Sequence, residues 1–286
     1  MSDVEALLAL LTEPWQFEFM RRAAATAAVV GVVCGAVGTY LVLRGMALVG
    51  DALGHAVFPG IVAASIFRVD PLIGAVSAGV LTAVGITTLQ RRGGLRADVA
   101  MGILYAGAFA AGVALLSTQR SFAVDLTSFL TGYVLAVSPR DLLVIALIAA
   151  LVLATLALFH RGLVAATFDP SGAAVLGLPV NRLELTLMVC VALAVVASVQ
   201  TVGTVMVVAM LVTASATARM LTRRILPMMI ASGAIGAFSG VAGLFAAYHL
   251  SISAGAAIVL VCTTLFLAVL LARKATAGLY RAVASA

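Results

Sequence analysis

Residues 46–67 read MALVGDALGHAVFPGIVAASIF, an apolar run broken by one aspartate, Asp51, and one histidine, His55. A helix needs about 20 such residues to cross the ~30 Å of hydrocarbon in a bilayer, and this run is that long. On a helix, Asp51 and His55 stand four positions apart and share a face. An aspartate at membrane depth costs roughly 2.5–3.5 kcal/mol on insertion scales, so it persists where it has a partner or a task. A carboxylate oxygen with an imidazole nitrogen is a donor set for a divalent transition metal. The same two groups can also bond each other and lock helix packing.

The rest of the chain has the same character. Of 286 residues, 64% are hydrophobic and 10% charged, with a mean hydropathy of +1.21. That is more apolar surface than a soluble core can hide, and it marks an integral membrane protein. The alternating ~10-residue segments of an outer-membrane barrel are absent. Charges and breakers predict about nine transmembrane helices, near 24–43, 46–67, 72–90, 99–117, 142–159, 185–202, 204–221, 226–247 and 254–272. The expected fold is an all-α polytopic membrane helix bundle, a single transmembrane domain over residues 1–286. Its longest polar intervals lie at 118–141 and 160–184.

Orientation follows from the basic residues. An internal N-terminus would leave only Arg21, Arg22, Arg68, Arg120 and Arg140 in the cytoplasm. The opposite choice places Arg44, Arg91, Arg92, Arg96, Arg161, Arg182, Arg219, Arg223, Arg224, Arg273, Lys274 and Arg281 there. The positive-inside rule therefore predicts an external N-terminus and a cytoplasmic C-terminus. The net charge of +6 is accounted for by anionic headgroups and calls for no nucleic acid. Cys34, Cys190 and Cys262 fall inside spans without metal-type spacing and read as structural thiols. Met1–Glu18 carries four acidic residues where a secretory signal needs a positive start, and reads instead as an interfacial segment with Trp15 and Phe17 as belt residues.

At 1.5 Å per residue, His55 lies roughly 14 Å beyond Met46, near the midplane. Gly45, Gly50, Gly54, Pro59 and Gly60 predict irregular backbone in that span, the usual setting of a transport site. Residues 168–179, FDPSGAAVLGLP, predict a short cytoplasmic helix with Asp169 as N-cap, Pro170 in the first turn and Gly177 as terminator. A surface knob and a plain connector both fit. His249 suits either an external metal relay or a solvated interfacial residue. Met206 and Met210 suit a soft-metal path or packing. His160 beside Arg161 reads as a helix cap near headgroups, and Arg182 and Glu184 read as boundary anchors. Gly31 with Gly35 and Gly236 with Gly240 permit close helix approach, a feature that also suits a homodimer.

The stretch from Gly50 to Gly60, GDALGHAVFPG, resembles the signature of the zinc/manganese/iron-type ABC transporter permeases, in which an Asp and a His four apart precede Pro-Gly. Asp125 to Gly132 resembles that family's external segment and Asp169 to Gly177 its cytoplasmic coupling loop. Val202-Gly203-Thr204, Ala209 to Ala218 and Gly243 to Gly255 resemble its late spans. The resemblance implies the plasma-membrane subunit of a binding-protein-dependent importer, with Asp51 and His55 as its metal pair. It implies an ATPase coupling loop at Asp169, Ala173 and Gly177. The implied partners are an ATP-binding cassette subunit, an extracytoplasmic metal-binding protein and a second copy of the chain. The implied cargo is zinc or manganese, with no permanently bound cofactor.

The chain departs from the family pattern at Gly54, where a serine is usual, at Ala214, where a proline is usual, and at Ser251 and Ser253, which replace an Asp and a Pro. The metal pair is untouched. No Gly-x-x-x-x-Gly-Lys-Ser/Thr loop is present and Lys274 is the sole lysine, so the expectation is a transport subunit and not an enzyme. Three other readings compete: an importer for a metal chelate such as a siderophore or cobalamin, a proton-coupled secondary carrier, and a membrane anchor whose buried pair is structural.

Overall fold

The computed structural model describes residues 12–118 and 136–284, and within them every regular element is helical. In chain order these are α1 (Glu18–Leu43), α2 (Val49–Ala56), α3 (Phe58–Ile66), α4 (Pro71–Gly93), α5 (Ala97–Ser117), α6 (Pro139–Leu158), α7 (His160–Phe168), α8 (Pro170–Val175), α9 (Val180–Val202) and α10 (Thr204–Val208). A π-helical turn (Ala209–Thr213), α11 (Ala214–Leu221), α12 (Ile225–Leu250) and α13 (Ala254–Ala284) complete the bundle.

Eight spans among the described residues are long and apolar enough to cross a membrane, the pair α2–α3 counting as one. The expected seventh span, 204–221, is shorter and broken. Gly203 takes φ +83°, a left-handed turn suited to glycine, and the π turn interrupts the helix five residues later. Arg219 Nη1 donates to the Val42 carbonyl at 3.3 Å, which returns this segment to the end of α1 where Arg44 lies. The expected count of nine thus resolves into eight full spans and one interrupted return.

Local chemistry sets the helix ends. Asp70 Oδ1 accepts from Leu72 N at 2.9 Å and Pro71 opens α4, where its missing N–H costs nothing. Ser138 and Asp141 form a reciprocal capping box at the start of α6.

α1 and α9 form the middle of the bundle, with 72% and 67% of their apolar stretches buried, against 17% for α5 and for α13. α1 lies along α12 at backbone contact. A Cβ on Gly35 would come within 2.5 Å of the Ser232 carbonyl carbon, and Gly31 faces Gly236 in the same way. In lipid, where no hydrophobic force drives helices together, such small-residue seams let backbones gain dispersion contact. Ser215 ties the seam, bonding Ser232 Oγ at 2.7 Å and donating to the Gly35 carbonyl at 3.2 Å. Of the glycines read from the sequence, Gly31 meets Gly236, Gly35 meets Ser232 and Gly233, and Gly240 meets Ala27, all inside a single protomer. Cys34, Cys190 and Cys262 are free and buried, as expected of structural thiols.

Candidate metal centre

The expected irregular backbone is present. α2 runs for only eight residues, and the chain breaks at Val57 before α3 restarts with Pro59 in its first turn. Because α2 stays helical through Ala56, Asp51 and His55 stand one turn apart on one face. Asp51 Oδ1 lies 3.6 Å from His55 Nε2. That separation is too long for a direct hydrogen bond and close to what one ion needs. With metal–ligand bonds of about 2.1 Å, two ligand atoms are about 3.4 Å apart across a tetrahedral angle and about 3.0 Å apart across an octahedral edge. The Asp51 side chain is 50% exposed and that of His55 20%. The pair is open on the aspartate side.

The histidine side is closed by aromatic rings from α5. Tyr105 lies 5.4 Å from the imidazole centroid, and Phe109 meets it edge-on at 5.8 Å. Phe109 in turn packs 5.7 Å from Phe58, which is wholly buried. α5 comes this close because residue 112 is glycine, where a Cβ would sit 2.5 Å from Phe58 Cδ1. The opposite flank of α2 is closed by Leu211 of the π turn, whose Cδ1 would lie 2.7 Å from a Cβ on Gly50. Phe58, Phe109 and Leu211 carry no polar side-chain atom and Tyr105 meets the imidazole ring to ring, so these contacts orient the pair without consuming its lone pairs.

Among the described residues no cluster of three or more His, Cys, Asp or Glu is found that could hold a metal. His249 is exposed at the end of α12 and stacks edge-on against Phe245 at 4.5 Å and Tyr248 at 5.2 Å. Its helix packs chiefly on α1, α11 and α13, so the fold does not pair His249 with α2. Met206 and Met210 are fully buried filling. Residues 125–132, expected to form the external segment, lie outside the described residues.

At the arginine-rich end the expected short helix forms as α8. Asp169 Oδ1 caps it by accepting from Gly172 N at 2.8 Å, and Gly177 terminates it with φ +77°. Ala173 points into the bundle and is 2% exposed. The apolar residues that face outward are Val175 at 89%, Leu176 at 79% and Phe168 at 66%. A periodicity argument cannot find that face in so short a helix.

The two boundary residues read as simple anchors or caps behave otherwise. Glu184 lies 3.7 Å from Arg44 Nη1 and 3.5 Å from Arg91 Nη2. His160 Nδ1 is 2.9 Å from the Tyr40 hydroxyl. Burial holds the Arg44 guanidinium below its ordinary pKa, while the carboxylate of Glu184 and the Tyr40 hydroxyl oppose that shift. The available signal was compositional: Glu184 is a lone carboxylate at the head of a span on the end richest in arginine.

The family described as ABC 3 transport family matches residues 16–273. A relative from Halalkalibacterium halodurans, named manganese transport system membrane protein MntC, is 43% identical over 250 residues, covering 87% of this chain and 86% of that protein. The manganese import system permease protein ScaB of Streptococcus gordonii is 38% identical, over 88% of this chain and 90% of its own. A solved structure, PsaBC from Streptococcus pneumoniae in complex with Fab, superposes with a TM-score of 0.81 at 36% identity. It covers 92% of this chain and 95% of the matched one.

Proposed function

The chain belongs to the ABC 3 transport family, and on that premise we propose that it is the permease subunit of an ATP-binding-cassette importer for a divalent transition metal. It is a transport subunit and not an enzyme, and ATP hydrolysis belongs to a separate partner. The single observation that carries the metal reading is the Asp51–His55 pair, 3.6 Å apart, packed against aromatic rings on the histidine side and open on the aspartate side. A naked divalent ion cannot enter hydrocarbon, because desolvation costs many kcal/mol unless ligands replace its water. An anionic oxygen and an imidazole nitrogen partway along the path supply that replacement.

Manganese is the favoured cargo over zinc, supported by the names of relatives at 43% and 38% identity. The donor set itself accepts both. Two ligands make a partial shell, so water and a second copy of the chain complete it. The exposed flank of Asp51 supports a homodimer whose path runs along α2, while the α1–α12 glycine seam is already spent inside one protomer. Arginine asymmetry supports a plasma-membrane orientation with the N-terminus outside and the C-terminus in the cytoplasm. An extracytoplasmic metal-binding protein then delivers cargo to the outer face. The ATPase docks at α8, where Asp169 and Gly177 fix the loop, Ala173 seats it, and Phe168, Val175 and Leu176 offer the contact. The chelate reading is disfavoured because the relatives at 43% and 38% identity are named for manganese itself, and a proton-coupled carrier needs no ATPase.

The test is uptake of radiolabelled manganese by the permease reconstituted in liposomes with its ATPase and binding protein. Asp51→Asn and His55→Ala should each abolish uptake while the complex still assembles. Wild-type uptake by either variant would remove the pair from the path.

A further inference from the structure

Arg44 sits at the C-cap of α1, with its side chain only 10% exposed. Its Nε donates to Thr167 Oγ1 at 3.1 Å, and its Nη1 faces Glu184 at 3.7 Å. Its Nη2 is buried with no partner. One turn earlier, wholly buried Tyr40 holds His160. His160 and Thr167 stand at the two ends of α7, the helix that runs directly into α8, so α1 grips α7 at both ends. Glu184 lies in the first turns of α9, on the far side of α8, and it is shared with Arg91 at the end of α4. Arg91 also donates to the Asn181 carbonyl.

Past Arg44, Gly45 turns the chain with φ +69° and α2 begins at Val49. Asp51 is seven residues from Arg44. The connector around α8 and the metal pair are therefore joined by one short, well-gripped stretch of chain. Two features show that this junction is loosely bonded. Glu184 bridges two arginines, Oε1 lying 3.7 Å from Arg44 Nη1 and Oε2 3.5 Å from Arg91 Nη2, both beyond the 2.7–2.9 Å of a tight charge-assisted bond. The buried Nη2 of Arg44 has no partner, and a buried, unpaired N–H costs about 1–3 kcal/mol, so this arrangement leaves bonding capacity unused.

We propose that Arg44, Glu184 and Arg91 form an exchange joint, in which the Glu184 carboxylate passes between Arg44 on α1 and Arg91 on α4 as the α8 connector moves, and α1 transmits that movement through Gly45 to Asp51 and His55. The three are positioning residues for metal capture and release. The inference rests on α8 being the ATPase docking loop. Tyr40 and His160 serve as the pivot that keeps α7 on α1 in both arrangements.

The test reads the number of ATP molecules hydrolysed per manganese ion taken up by the full complex in liposomes. Glu184→Gln, Arg44→Met and Arg91→Met should each raise that ratio at least about fivefold, the low end of a site-to-site coupling free energy. A purely structural role would lower the yield of assembled complex and leave the ratio alone. Should Glu184→Gln fail to assemble because Arg44 is left buried without a counter-charge, the double variant Arg44→Met/Glu184→Gln removes both charges, and the ratio is read on it. A wild-type ratio in the assembled variants overturns the joint. A four-glycine insertion after Gly172 separates the two readings. If the insertion uncouples and the charge variants do not, only the joint fails. If the insertion also leaves the ratio unchanged, the docking loop lies elsewhere and the joint falls with it.

Discussion

Two ionic pairs stand seven residues apart on either side of Gly45, and they are built in opposite ways. Asp51 and His55 face each other across 3.6 Å with aromatic rings walling the histidine, and half of the aspartate surface is open. Arg44 and Glu184 are drawn into a network with Thr167 and Arg91 that ties α1 to α4, α7 and α9. In the first pair the polar capacity of the side chains is left over for something that arrives. In the second most of it is spent on holding helices together, with Arg44 Nη2 left over. A polar residue in a membrane protein is thus informative through its unspent bonds as much as through its identity.

This contrast can be broken in three ways. The largest effect is at the open pair, where His55→Ala should cut manganese uptake at least ~100-fold yet shift the thermal unfolding midpoint hardly at all, because a partly exposed ion pair contributes only about 0–1 kcal/mol. A marked loss of stability would show that the pair is structural. Arg44→Ala should do the reverse to the fold, destabilising it by about 2–3 kcal/mol. That figure lies below the range for a fully buried pair because Glu184 keeps 35% of its side chain exposed. Denaturant or thermal unfolding in detergent measures it, and a neutral change would mean that the network carries no fold stability. The smallest effect is expected at Phe109→Ala, which removes the ring edge from His55 and should weaken the apparent affinity for manganese about three- to tenfold, equivalent to the 0.5–1.5 kcal/mol of an aromatic contact. Titration of uptake rate against manganese concentration checks this, and an unchanged half-saturation would leave the aromatic sleeve without a role at the site.

Much of the site was legible because its determinants are local. The four-residue spacing of Asp51 and His55 survives since α2 remains helical to Ala56, and Asp169, Pro170 and Gly177 specify α8 through caps that act within one turn. The partners of Glu184 were not legible. Arg91 and Arg44 lie 93 and 140 positions earlier in the chain, and no spacing rule reaches across the two and four spans between. Ala173 shows a different limit: the cap residues were readable, but which side of a six-residue helix faces the bundle depends on what packs against it. The return at 204–221 looked like an ordinary span because hydropathy counts apolar residues and is blind to a π turn.

Composition and period alone established a bundle of membrane helices with a carboxylate and an imidazole inside one span, because the bilayer dictates length and polarity residue by residue. Tertiary packing alone decided that the glycines of α1 and α12 meet each other, that α5 walls in the histidine, and that Glu184 bridges two arginines. Each of those facts depends on which helices become neighbours, and in lipid that choice is made by close-range fit between surfaces far apart in the chain.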